Sequence, residues 1–146
     1  MITPQQLIDE ARKLIGTPWR HQGRTTSGVD CIGLVALATR NAGLDLAAVC
    51  GVRDERNYGR RADPRLYALV EKHCTRIDAP IPGALLFFKF KGDRAPRHFG
   101  IYTERDTVIH AEAKVRGQVV EHGYRAHWVK WTHSIWLLPG VSYDFP

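Results

Sequence analysis

Apolar positions follow a helical period in the first half of the chain and a strand alternation in the second. Thr3-Pro4 reads as an N-cap followed by proline in the first helical position. Leu7, Ala11, Leu14 and Ile15 then form an apolar stripe that stops at Gly16. The next stretch, GTPWRHQGRTTSG, is glycine-rich and polar, and loop is expected there. A second helix is expected over DCIGLVALATRNAG, capped by Asp30, opened by Cys31 and closed at Gly43. Its apolar positions are Ile32, Val35, Ala36 and Ala42. Gly33 in the first turn costs that helix about 1 kcal/mol relative to alanine, which implies close approach of another element. Residues 47–62 read as irregular, and Asp63-Pro64 begins a helix running to about His73.

The period changes after IDAPIPG. From Ala84 the segments ALLFFKF, RHFGIYT, TVIHAEA, GQVVEHG and HSIWLLP read as strands. Helices first and an antiparallel sheet second argue for α+β architecture, not alternating βαβ units. The 146 residues suit one domain, 1–146, which closes a core without metal or disulfide staples.

Composition narrows the functional classes. The chain is 44% apolar, which is globular, and holds no apolar run near the roughly 20 residues of a membrane span, so no membrane insertion is expected. The formal charge of +6 suits an acidic partner. Basic residues are nevertheless spread from Arg12 to Lys130 with one adjacent Arg pair, Arg60-Arg61. No helix-turn-helix, zinc-finger or aromatic RNA-binding pattern accompanies them, which argues against a specific nucleic-acid partner. Cys31, Cys50 and Cys74 are odd in number and point to reduced thiols. No CxxC or HExxH occurs, so neither metal nor cofactor is expected. MITPQQLIDEARKLIG carries acidic residues and no continuous apolar core, so it is not expected to act as a secretory signal.

One constellation carries chemistry. A cysteine in the first turn of a helix sits at the positive end of the dipole, which favours thiolate, beside backbone N–H groups suited to an oxyanion. Cys31 has that setting. Its base is expected from the hairpin RHFGIYT–TVIHA, turning near Glu104 to Asp106. Centred on residue 104, the hairpin sets His98 opposite His110, on one face with Gly100, Tyr102 and Val108. Phe99, Ile101 and Ile109 face the other way. One imidazole then takes the thiol proton while the other fixes its tautomer, and Gly100 clears space for the helix bearing Cys31. Cys50, Cys74, His73, His122, His127 and His133 have no such setting and read as packing or surface residues.

These blocks resemble the NlpC family of cell-wall cysteine peptidases, across roughly Ala11 to Ala111. GTPWRHQGR is similar to that family's Gly-Thr-Pro-Tyr loop, and VDCIGLV to its Asp-Cys-Ser-Gly-Leu block. PGALLFF with RHFGIYT resembles the strand pair ending in His-Val-Gly-Ile-Tyr, and VIHA its third-residue block. The resemblance implies a papain-like fold and a catalytic set of Cys31, His98 and His110. It also implies substrate binding by Trp19 and Asp30, the latter toward a free amine. The substrate it implies is a peptidoglycan stem peptide cut between D-γ-glutamate and the following diamino acid. Trp19 stands where the family has a tyrosine and brings an indole N–H in place of a hydroxyl, which makes His21 a candidate substitute. Ile32 replaces the usual serine. The wording WRHQGR and VDCIGLV is most similar to the branch encoded beside bacteriophage tail genes. That implies tail-protein partners and a virion-borne enzyme made in the cytoplasm and acting at the wall. The alternatives are a structural tail component with a vestigial site, and an amidase or acyltransferase on the same scaffold.

Overall fold

Helix α1 spans Pro4–Lys13 and begins as its sequence dictates. Thr3 accepts from the Gln6 amide at 3.1 Å while the Gln6 side chain accepts from the Thr3 amide at 2.9 Å, a reciprocal cap. Leu7, Ile8, Ala11 and Leu14 turn inward; Ile15, expected on that stripe, is 43% exposed, because the helix ends two residues before it. The computed structural model describes residues 1–51 and 64–143. The loop expected after Gly16 contains a short hairpin, β1 (Arg24–Thr25) with β2 (Gly28–Val29).

Helix α2 runs Cys31–Asn41, with Asp30 at its N-cap. Its buried positions are Gly33, Leu34, Val35, Leu37, Ala38 and Thr39. Ile32 and Ala36, expected on the inner face, are only half-buried. Packed by α1 and by the sheet, α2 buries more of its circumference than a single stripe would. Residues 46–50, expected irregular in part, form helix α3 (Leu46–Cys50), capped by Asp45. The remainder of that stretch, with Arg60-Arg61, lies outside the described residues. Helix α4 spans Pro64–His73, where a helix is expected.

Strands β3 (Thr75–Ile77), β4 (Leu85–Phe88), β5 (His98–Tyr102), β6 (Thr107–Glu112), β7 (Gln118–Gly123) and β8 (Thr132–Leu137) form one antiparallel sheet. Its order is β3-β8-β4-β5-β6-β7. The short helix α5 (His127–Trp131) precedes β8; neither it nor β3 is expected from sequence, both being too short to show a period. Alternation sends Phe87, Phe99, Ile101 and Ile109 into one buried cluster with Leu7, Ile8 and Leu34 of the helices. Leu86, Phe88, Val108 and Ile135 fill a second cluster with Tyr124, bordered by Trp128 and Trp131. The architecture is α+β, with helices bearing the N-terminal half against an antiparallel sheet.

The β5–β6 hairpin differs from expectation in register. Ile101 pairs with Ile109 and Tyr102 with Val108, so its centre is residue 105, not 104. Three residues form the turn, because Asp106 adopts a left-handed conformation (φ 57°) and its amide reaches back to the Thr103 carbonyl. The side-chain faces are unchanged, but His98 and His110 become diagonal neighbours instead of opposite ones. Gly100 likewise has another purpose than clearing room for α2. A Cβ there would lie 2.3 Å from Val108 Cγ2 and 3.2 Å from Phe88, both in the cluster away from that helix.

Candidate active site

Asp30 builds the platform on which Cys31 stands. Its Oδ1 accepts from the Gly33 amide at 2.8 Å, its Oδ2 from the Gln22 amide at 2.8 Å, and Arg24 Nη1 lies 3.3 Å from Oδ1. Asp30 and Arg24 are both buried, so this charge pair fixes the incoming loop on the helix N-terminus. Gly33 makes that approach possible: a Cβ would sit 1.9 Å from the Gly23 carbonyl oxygen. The expected close neighbour of Gly33 is therefore the Trp19-to-Arg24 loop itself. The Asp30 carboxylate, expected toward a substrate amine, is engaged in this scaffold while also lining the cleft.

Cys31 Sγ lies 3.8 Å from the Arg97 carbonyl oxygen, one residue ahead of His98. Burial pushes the thiol up to about 12, and the Asp30 carboxylate adds to the rise; the amides of Phe99, Ile32 and Cys31 oppose it. Desolvation thus outweighs the helix dipole, and the resting form is thiol where thiolate is expected from position alone. The same amides of Cys31 and Ile32 are the donors placed for an oxyanion on a group attacked by sulfur.

His98 and His110 are joined, Nε2 to Nδ1, at 2.8 Å with their rings at 84°. Burial lowers the His98 imidazole to about 4, helped by the Arg97 charge. His110 is fully buried and is lowered to about 2 by that burial and by its two imidazole neighbours. At neutral pH both rings are uncharged. His110 Nε2 in turn meets His122 Nε2 at 2.8 Å, and His122 Nδ1 lies 2.9 Å from the Gly123 carbonyl. His122, read from sequence as a surface or packing residue, belongs to this row. Carrying the alternation argument one strand further, across the turn at Gly117, would have put His122 on the face of His110. In the observed register His122 pairs with Val108 and His110 with Val120.

Cys31 and His98 line one cleft of about 650 Å³ with Trp19, His21 and Asp30. Trp19 and His21 are stacked, with ring centroids 6.3 Å apart. Sequence reasoning did not single out Phe90, Trp128 and Trp131, which complete an aromatic wall, nor Lys91, Arg97, Glu112 and Lys114, which give the cleft charges of both signs. Trp128 covers the histidines, its ring centroid 4.6 Å from that of His110. Cys50 and Cys74 are free thiols outside the cleft. Among the described residues no group of three or more His, Cys, Asp or Glu side chains is arranged to hold a metal ion.

A helix-borne cysteine and a sheet-borne histidine share a cleft on an α+β frame, with a second histidine buried behind the first, and this arrangement defines the papain-like class. The match of residues 16–137 to the NlpC/P60 family shows that the chain belongs to that family. It is 31% identical over 105 residues to the probable endopeptidase NlpC of Escherichia coli (strain K12), covering 72% of this chain and 59% of that protein. It is 28% identical over 107 residues to the probable peptidoglycan endopeptidase LytE of Bacillus subtilis (strain 168), covering 73% of this chain and 26% of LytE. The chain therefore spans less than two thirds of the length of either relative. The crystal structure of the NlpC/p60 domain of the peptidoglycan hydrolase SagA superposes with a TM-score of 0.60 at 24% identity. That match covers 94% of this chain and all of the SagA domain, and it shows the shared fold.

Proposed function

We propose that the chain is a cysteine endopeptidase that hydrolyses peptidoglycan stem peptides, at the bond between D-γ-glutamate and the diamino acid. The observation that carries this reading is the placement of Cys31 at a helix N-terminus in one cleft with His98, whose far nitrogen is bonded to His110. The cleft's aromatic wall and charges of both signs suit a peptide bearing carboxylates and a free amine.

With thiol and imidazole both neutral at rest, proton transfer from Cys31 to His98 accompanies attack on the amide carbon. The S–C bond forms, the carbonyl oxygen takes the negative charge beside the Cys31 and Ile32 amides, and His98 returns the proton to the departing amine. Water, deprotonated by His98, then resolves the thioester and regenerates the thiol. No step calls on a cofactor.

Digestion of purified peptidoglycan by the wild type and by Cys31→Ala, read by mass spectrometry, tests the proposal. New amino termini at the diamino acid are expected with the wild type and a loss of about 10³-fold or more with Cys31→Ala. Release of nothing by the wild type removes the enzyme reading. It leaves the second reading, a structural component with a vestigial site, which the raised Cys31 thiol favours. A virion-borne role with phage tail partners rests on the wording of WRHQGR and VDCIGLV, and mass spectrometry of purified tails tests it: absence of the chain there overturns it.

A further inference from the structure

The polar row does not end at His110. His98 Nε2 meets His110 Nδ1 at 2.8 Å, His110 Nε2 meets His122 Nε2 at 2.8 Å, and His122 Nδ1 meets the Gly123 carbonyl oxygen at 2.9 Å. A carbonyl oxygen only accepts, so His122 Nδ1 carries a hydrogen. A neutral His122 then has a lone pair on Nε2, and His110 must donate to it from its own Nε2. A neutral His110 therefore accepts at Nδ1, which places the hydrogen of His98 on Nε2. His98 Nδ1 is left as a lone pair, the nitrogen that can receive the thiol proton. The direction of the whole row follows from one backbone carbonyl at its far end.

We infer that His122 is a positioning residue of this site, fixing through His110 the tautomer in which His98 acts as base. The inference rests on the reading of Cys31 as nucleophile and His98 as base. Packing supports it. Successive rings stand at 84° and 88°, an edge-on arrangement compatible with in-line N–H···N bonds. Trp128 lies over the row, 4.6 Å from His110 and 5.0 Å from His122 between ring centroids, and His110 at its centre is fully buried from water that would offer other partners. The strand register does the rest: β6 and β7 pair so that His110 and His122 are diagonal neighbours on one face, as His98 and His110 are across β5 and β6.

The test uses the full chain as wild type, His122→Gln and His122→Leu, with thermal unfolding to verify the fold. Ring ¹⁵N chemical shifts report the His98 tautomer without requiring any hydrolysis. The wild type is expected to show His98 protonated at Nε2 and bare at Nδ1. Glutamine offers an amide oxygen in place of the His122 lone pair, so His122→Gln keeps that tautomer and the wild-type kcat. Leucine offers no acceptor, so His122→Leu shows mixed His98 tautomers and a kcat lower by about 10-fold or more, with KM unchanged. A wild-type His98 protonated at Nδ1 overturns the inference, as does a folded His122→Leu with unchanged tautomer and kcat. Should His122→Leu fail to fold, the wild-type and His122→Gln spectra decide alone. If the wild type proves inactive while the tautomers behave as stated, it is the peptidase reading that fails and the relay that stands.

Discussion

His98 reaches His110 across a diagonal of the sheet, with the β5–β6 register setting Gly100 in the position directly opposite His110. Diagonal neighbours stand roughly 7–8 Å apart, room for two imidazoles meeting edge to edge, whereas directly opposite Cβ atoms at about 5 Å would crowd them. The shift of one residue in the turn is therefore what gives the pair its 2.8 Å contact.

Gly100 is needed because of Val108. Gly100→Ala drives a methyl into Val108 Cγ2, and a loss of about 1–3 kcal/mol is expected from the overpacked hairpin. Val108→Ala removes the obstructing methyl, so in its background Gly100→Ala is expected to cost at least about 1 kcal/mol less. Urea unfolding of the four proteins of this cycle measures the coupling. Equal costs in both backgrounds would place the reason for the glycine elsewhere.

The desolvated histidines make acid stability a readout of the site. An ordinary imidazole protonates near 6.5, but folded His98 does so at about 4 and His110 at about 2. Between these values the unfolded chain holds more protons, so stability falls as pH falls below 6.5. Each ring contributes up to about 1.4 kcal/mol per pH unit through that window. Glu104 and Glu121, held low by Arg12, begin to act only within about a unit of the usual carboxylate value, so the upper part of this window, above about pH 5.5, isolates the imidazoles. Chemical unfolding at pH 7, 5.5 and 4.5 should show the decline, and His98→Gln should lessen it. A flat profile over that interval would mean that the rings are not held neutral.

Much of this was legible in the order of residues. Thr3-Pro4 and Asp30-Cys31 announce both helix starts because capping is local chemistry, settled by a side chain and the amides three positions on. The alternation in HFGIY and TVIHA assigns faces for the same reason. Register is different: it depended on whether Asp106 would take a positive φ, which a non-glycine residue does only when the turn demands it. The thiol departs from expectation for the same kind of reason. Its place on the helix is local, but its desolvation depends on what packs around it and on the Asp30 carboxylate. His122 and Trp128 escaped notice because their importance lies in meeting His110, whose burial no sequence pattern discloses.

Gly33 tests how tightly the loop must lie on α2. Gly33→Ala relieves the helix of its glycine, a gain of about 1 kcal/mol in an open helix. Here the added Cβ would sit 1.9 Å from the Gly23 carbonyl oxygen, backbone that cannot rotate away. The clash is expected to win by a few kcal/mol, lowering the unfolding temperature and moving Trp19 and His21 from the cleft. Calorimetry with tryptophan fluorescence checks both. A stabilised Gly33→Ala with unchanged fluorescence would show that the loop stands further off than the geometry here.

Asp30 joins the scaffold to the chemistry, and one substitution separates the two. Its carboxylate caps α2, holds the Gln22 amide and pairs with buried Arg24, while its charge adds to the rise in the Cys31 thiol. Asp30→Asn keeps an oxygen for the Gly33 amide but removes the charge. Stability should fall by about 3 kcal/mol, because the buried charge pair with Arg24 is broken and the Gln22 amide loses its acceptor. The thiol should move the other way from destabilisation, becoming easier to ionise once the neighbouring negative charge is gone. Iodoacetamide reactivity followed against pH, on protein verified as folded by circular dichroism, reads that shift as a lower midpoint in Asp30→Asn than in wild type. A simple loss of structure cannot imitate this in folded protein, since burial of the sulfur is retained. An unchanged midpoint in folded Asp30→Asn would confine Asp30 to its structural duty and leave desolvation as the whole cause of the raised thiol.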